Sequence, residues 1–322
     1  MTRHIPKAEI HCHIEGAAPT ALVRSQAQKY GVDMDHLIDG DRYVWKDFTS
    51  FLSAYDAAAA LFRTEEDYAL LAQSYLTSIA EEGAIYSEVF ISPDHARRAG
   101  LDPQAYVDGL GEGMRRARAS HGIEGRLIIT CVRHFDADAA IDVARFAASR
   151  PHPLVTGFGM GGDERMGSHA DFARAFDIAR DAGLGITTHA GEVAGPDSVR
   201  DALQHVRPTR LGHGVRAIED PSLVEHLAEE GIVLEICPGS NVSLSLFAGF
   251  EDHPFPALRE AGIRVTLNSD DPPFFATSLG REYALAQNAF GLSDDDLVAT
   301  TRTALEAAFV DEETRAALLA KL

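Results

Sequence analysis

Imidazoles and carboxylates gather where β-branched runs of this chain give way to small or polar residues. His11-Cys12-His13 comes first, followed by Thr188-His189-Ala190-Gly191-Glu192, Gly212-His213-Gly214 and Ser269-Asp270-Asp271. Residues i and i+2 of a strand share a face, so His11 and His13 point one way and Cys12 the other. Taken singly, each has a plain structural reading: a satisfied histidine, a glutamate in a glycine turn, an Asp-Asp-Pro-Pro turn. Taken together, His11, His13, His189 and Asp270 offer three nitrogens and one oxygen to a single cation. That donor set suits a borderline ion such as Zn²⁺, whereas Mg²⁺ or Ca²⁺ would want mostly oxygen. The fourth run ends in Gly159-Met160-Gly161-Gly162-Asp163-Glu164 with no lysine to bridge two metals, which favours one ion.

The elements that must position these groups follow one rhythm. Eight runs (Ala8–Ile14, Ala84–Ser92, Arg126–Val132, Leu154–Gly162, Gly185–Ala190, Arg210–Val215, Ile232–Pro238 and Arg264–Asp270) alternate with alanine-rich segments of helical period. Among those segments are Asp102–His121, Asp136–Ser149, Ser168–Ala182, Pro196–Arg207 and Asp220–Glu230, several ending at a glycine suited to a helix C-terminus. Eight such units predict an α/β chain folded as a (β/α)₈, TIM-like barrel, with its chemistry at the C-terminal ends of the strands. A doubly wound open sheet is the runner-up. Between the first two strands, Trp45–Phe62 and Glu65–Glu82 read as extra helices. Ser278–Gln287 and Ser293–Ala307 read as closing helices, and residues 1–322 as a single domain. Gly157, Gly159 and Gly162 match GxGxxG formally. A dinucleotide site is discounted because Asp163 and Glu164 stand where a pyrophosphate needs bare N–H groups.

Composition limits the partners. With 29 Lys and Arg against 49 Asp and Glu, the net charge of −20 argues against nucleic acid or an anionic membrane surface. Cys12, Cys131 and Cys237 lie far apart in apolar runs and read as free thiols of a reducing compartment. No signal-peptide core or membrane-length apolar run appears, so a cytoplasmic location is expected. Homo-oligomerisation stays open. His36, His95, His121, His152, His169, His205, His226 and His253 read as surface residues, while His134 follows the third strand and is a candidate pocket residue. Phe48, Phe51, Leu52, Tyr55 and Phe62 recur on one helical face and are expected on the barrel rim or over the pocket.

With these residues in view, the chain resembles the adenosine deaminase family of the amidohydrolase superfamily. The likeness is carried by Pro6–Ala17, His189-Ala190-Gly191-Glu192, Gly212-His213-Gly214, Cys237-Pro238-Gly239-Ser240-Asn241 and Asn268-Ser269-Asp270-Asp271-Pro272, in family order over most of the chain. The resemblance implies one zinc ion held by His11, His13, His189 and Asp270. Asp271 would orient the attacking water and contact the substrate, and His213 would hold the hydroxide. Glu192 would protonate purine N1, and the Gly162 N–H would contact N3. Glu15 occupies the position whose carboxylate meets the ribose 5′-hydroxyl in adenosine-specific members. The implied reaction is hydrolytic deamination of a small aminopurine, with adenosine or 2′-deoxyadenosine as the first expectation. Adenine or a 5′-modified adenosine is the alternative, and a purine-binding barrel without catalysis a distant one. Glu15 in place of an aspartate leans toward the adenine branch; Gly161–Glu164 and Gly191–Pro196 lean toward the adenosine branch.

Overall fold

A computed structural model describes residues 2–322. Eight parallel strands follow one another around a barrel: β1 (Lys7–Glu9), β2 (Ala84–Ile91), β3 (Glu124–Val132), β4 (Val155–Gly161), β5 (Gly185–Ala190), β6 (Arg210–His213), β7 (Val233–Ile236) and β8 (Arg264–Leu267). Helices join them on the outside, fourteen among the described residues. Regular ladders run from β1 round to β8, and the last seam closes through bridges beyond the strand ends. There Cys12 pairs with Asp270, His13 N–H donates to Asp270 O at 3.0 Å, and Asp270 N–H donates to His11 O at 3.2 Å. The seam of the barrel is thus made by the backbone of the candidate metal ligands themselves.

The first strand is shorter as a ladder than Ala8–Ile14, yet its chain stays extended to Ile14. Phe90 N–H donates to Cys12 O at 2.8 Å and Ile14 N–H to Phe90 O at 3.0 Å, so the His-Cys-His segment is gripped from both sides. Strands six and eight also stop earlier than expected: β6 ends at His213 (φ 59°) and β8 at Leu267, ahead of Asp270 (φ 62°), and both of these residues lie in the left-handed region. Each such non-glycine residue costs about 1–3 kcal/mol and persists only where its surroundings over-determine it. Both lie in the candidate site.

Between β1 and β2 the insertion contains helix α1 (Thr20–Tyr30), a two-stranded hairpin (Ile38–Asp39 with Arg42–Tyr43), α2 (Phe48–Ala59) and α3 (Glu65–Glu81). Asp47 and Thr64 cap α2 and α3 with reciprocal side-chain and backbone hydrogen bonds. The insertion is fastened to the loop after β8: Tyr43 stacks on Phe274 with ring centres 3.8 Å apart, and Trp45 Nε1 donates to Phe274 O at 2.9 Å. Sequence periodicity missed α1, the hairpin and the C-terminal helix Glu312–Leu319, all short elements with weak apolar patterns. Helices Leu279–Ala289 and Asp294–Ala307 occupy the expected closing positions. No helix among the described residues is long and apolar enough to cross a membrane.

Candidate active site

Hydrogen bonding to the far ring nitrogen decides which imidazole nitrogen is free for a ligand. His11 Nδ1 lies 2.8 Å from Glu235 Oε2, and His189 Nδ1 lies 2.9 Å from the carbonyl of Met160. Both Nδ1 atoms therefore carry the proton, and both Nε2 lone pairs face inward. His13 Nε2 is 3.2 Å from His189 Nε2 and 3.5 Å from Asp270 Oδ1, and His11 Nε2 is 3.6 Å from the same oxygen. Ligands of a tetrahedral zinc at 2.0–2.1 Å stand about 3.3 Å apart, so this spacing matches a coordination shell. His11 Nε2 is fully buried without a partner, and Asp270 Oδ2 is anchored by Ser240 Oγ at 2.6 Å, leaving Oδ1 for the centre. The four residues fit a zinc ion.

Mutual spacing within 4.8 Å groups His213, in place of His13, with His11, His189 and Asp270. The hydrogen-bond network gives His213 a different part. His253 Nε2 meets Asn241 Oδ1 at 3.2 Å, so Asn241 Nδ2 faces His213 Nδ1 at 3.1 Å as a donor. His213 Nε2 then bears hydrogen and points into the cleft, 3.6 Å from Glu192 Oε1. Burial depresses the imidazolium form of His213, whose pKa falls to about 3. A neutral donor beside the cation can hold an oxygen without competing as a ligand.

Behind His11 lies a polar file that the sequence reading missed. Glu235 accepts from Thr187 Oγ1 at 2.9 Å and pairs with Arg210 Nε at 2.7 Å, while Arg210 Nη2 reaches Glu88 Oε2 at 2.7 Å. All three charged side chains are essentially inaccessible. The available signal was a charged residue inside an apolar strand, as in Val233-Leu234-Glu235-Ile236, where burial demands a partner. Asn268 serves the seam, accepting from the Ile10 N–H at 2.9 Å.

The lining of the same cleft also includes Glu192, Asp271, Glu15 and Gly162. Burial first, then the negative charges of Asp270 and Glu164, pushes the Glu192 carboxyl well above its usual range. Burial and the charges of Asp270, Glu192 and Glu15 do the same to Asp271, whose Oδ1 has no partner. That oxygen rests against Gly16, where an added Cβ would lie 1.7 Å from it. Gly16→Ala is therefore expected to displace Asp271 and lower turnover about 10- to 100-fold with metal content retained, checked by steady-state kinetics and metal analysis. Gly162 adopts φ 95°, and a Cβ there would meet His134 Nδ1 at 2.9 Å. Gly157 and Gly159 instead admit Phe309 and Phe90 against the strand, a packing use of the glycine pattern.

Glu15 is almost wholly buried, accepting from Tyr106 OH at 2.5 Å, and burial lifts its pKa to about 7 against hydrogen bonds from Tyr106 and Tyr55. Phe48, Phe51, Leu52 and Tyr55 of α2 line the cleft, but Phe62 turns into the core against Tyr68. Three histidines expected at the surface are elsewhere. His95 joins His134 in the cleft wall, and His169 and His253 are buried. His169 lies 2.7 Å from Arg133 and His253 meets Asn241, so each has found a polar partner that local sequence does not reveal.

The chain matches the family model described as "Adenosine deaminase" over residues 6–322. It is 66% identical over 316 residues to an adenine deaminase of Chelativorans sp. (strain BNC1), an alignment covering 98% of this chain and 97% of that one. An adenine deaminase from Arthrobacter aurescens superposes with a TM-score of 0.92 at 27% identity, covering 98% of both chains. An amidohydrolase from Burkholderia ambifaria, solved with bound Zn, superposes with a TM-score of 0.90 at 26% identity, covering 99% of this chain and 90% of that one. The barrel closed by its own candidate ligands and the sequence likeness lead to one conclusion: this chain belongs to the adenosine deaminase family.

Proposed function

We propose that this protein hydrolyses adenine to hypoxanthine and ammonia, with one zinc ion held by His11, His13, His189 and Asp270. The observation that carries the reaction type is the inward convergence of these four donors, linked by contacts of 3.2–3.6 Å, beside a buried carboxyl that favours its protonated form. Support for zinc comes from the donor set and from the Burkholderia ambifaria structure with bound Zn. When bound, the ion supplies a hydroxide nucleophile at neutral pH by lowering the pKa of water from 15.7 to about 7.

The chain's own residues do the rest. Glu192 gives its proton to purine N1, which makes C6 electron-poor. Asp271 accepts a hydrogen bond from the attacking water, and the N–H of His213 holds the oxygen as its bond to C6 forms. The proton lost by water passes to the exocyclic amine, the C6–N6 bond breaks, and ammonia leaves. The C6 hydroxyl proton returns to Glu192, leaving N1–H and C6=O. Gly162, without a side chain, lets the ring edge approach its backbone N–H.

Two observations move the substrate from the nucleoside first expected to the free base. Relatives 59–66% identical to this chain are named adenine deaminase. Glu15, at the position that would meet a ribose hydroxyl, is already engaged by Tyr106 and sits in the buried wall. Purified protein assayed with adenine, adenosine, 2′-deoxyadenosine and methylthioadenosine is expected to release ammonia from adenine with a kcat/KM at least about 100-fold above the others. Comparable values for adenosine would return the reading to the nucleoside.

A further inference from the structure

Glu164 stands in the turn after β4, 5% exposed, and apart from the effect of its charge on Glu192 it is assigned no role above. Its carboxylate reaches the loop between β5 and helix Pro196–His205. Oε2 accepts from the backbone N–H groups of Glu192 at 3.0 Å, Val193 at 2.8 Å and Ala194 at 2.8 Å. Oε1 accepts from the N–H of Gly191 and from Ser198 Oγ at 2.6 Å. Four successive N–H groups converging ahead of a helix form a concavity of the kind that captures oxyanions. Here the chain's own carboxylate fills it.

The loop has few other fixings. Gly191 turns with φ 73°, and a Cβ there would meet Val199 Cγ2 at 2.5 Å, so the turn is bound to its shape on one side. Arg216 Nη1 donates to Val193 O at 2.5 Å, and the Arg216 N–H donates to Gly191 O at 2.9 Å. No strand ladder continues past Ala190 to hold the residues that follow. Glu192 therefore projects from a segment whose amides all point at one acidic side chain.

The geometry points to Glu164 as the positioning residue for Glu192: by gathering the amides of residues 191–194 it sets the backbone from which the Glu192 carboxyl reaches 3.6 Å from His213 Nε2. This inference rests on the reading of Glu192 as proton donor. An ordinary helix cap would contribute stability alone. A positioning carboxylate couples specifically to the residue it places, and that coupling is measurable.

The experiment is a double-mutant cycle of Glu164→Gln and Glu192→Gln with adenine as substrate, read alongside amide exchange of the same proteins. Glutamine has the shape of glutamate but turns an NH₂ toward backbone donors. Glu164→Gln is expected to lower kcat about 100-fold with KM within about threefold of wild type and metal content unchanged. Added to Glu192→Gln, it should cost less than about threefold more, because its effect passes through that carboxyl. Amides 191–194 should exchange faster while those of β5 keep their protection. If Glu164→Gln does not fold, Glu164→Asp, which keeps the charge but is one methylene too short, is carried through the same cycle. A loss that repeats in full on the Glu192→Gln background overturns the inference, as does a kcat within about threefold of wild type with amides 191–194 still protected. Wild-type protein that releases no ammonia from adenine overturns the substrate reading instead. Exchange at 191–194 then tests the clamp alone, and unchanged protection in the variant overturns it.

Discussion

Glu192→Gln is expected to lower adenine turnover about 1,000-fold while metal content and KM stay near wild type. The Glu192 carboxyl is not among the four converging donors; it lies 3.6 Å from His213 Nε2 in the cleft. Glutamine can still donate a hydrogen bond to N1, so the base binds, but it cannot surrender a proton as C6 is attacked. The deficit should therefore appear in kcat, which separates an acid from a residue that only binds. The sign of the pH dependence follows from the same group. Burial and neighbouring negative charge raise the Glu192 pKa well above the ordinary carboxylate range, so its proton is lost only as the pH climbs through that raised value. The alkaline fall in kcat of wild type should therefore be missing from the residual activity of the variant. Ammonia release across a pH series, with metal analysis of both proteins, checks this. Near-normal kcat in the variant would remove Glu192 from its role.

The barrel and the grouping of His11, His13, His189, Asp270 and Glu192 were legible because each sits where a period-2 run ends. In a parallel barrel, strand ends share one rim, so linear position translates into proximity. What sequence did not show depends on partners far along the chain. Glu235 reads as an isolated charge in an apolar strand until Arg210 and His11 are brought beside it. Glu164 reads as one more acid of a glycine-rich turn until the loop after β5 folds onto it. His169 and His253 were read as surface residues because local pattern carries no record of Arg133 or Asn241. The ends of β6 and β8 were overestimated, and the left-handed backbone of the non-glycine residues His213 and Asp270 is imposed by tertiary contacts, with no local signal. The substrate was the least legible feature. A glutamate at position 15 is consistent with either reach or retreat, and only its hydrogen bond with Tyr106 shows which way the side chain turns.

Removing the metal is expected to abolish turnover and to destabilise the fold, and the two effects have separable causes. In the proposed reaction turnover depends on a hydroxide available at neutral pH, so a loss of at least about 1,000-fold is expected. Stability depends on what the donors do without a cation. His13 and His189 bring their Nε2 atoms to 3.2 Å, and His11 Nε2 is buried with no partner. Inward-facing lone pairs and a buried carboxylate are unfavourable neighbours unless a positive charge sits among them. Because the Cys12–Asp270 bridge is the barrel seam, strain in this cluster is felt by the closure of the whole sheet. An ion that binds only the folded state stabilises it by about 4 kcal/mol at a thousandfold excess over Kd, so chelation should lower Tm by about 5–10 °C. Adding back one equivalent of Zn²⁺ should restore both activity and Tm, whereas Mg²⁺ should restore neither, since the centre offers three nitrogens and one oxygen. Circular dichroism melts and ammonia release on the same chelated and reconstituted samples check the pair of effects. Full activity in protein shown to be metal-free would refute the assignment of His11, His13, His189 and Asp270 as ligands of a catalytic ion.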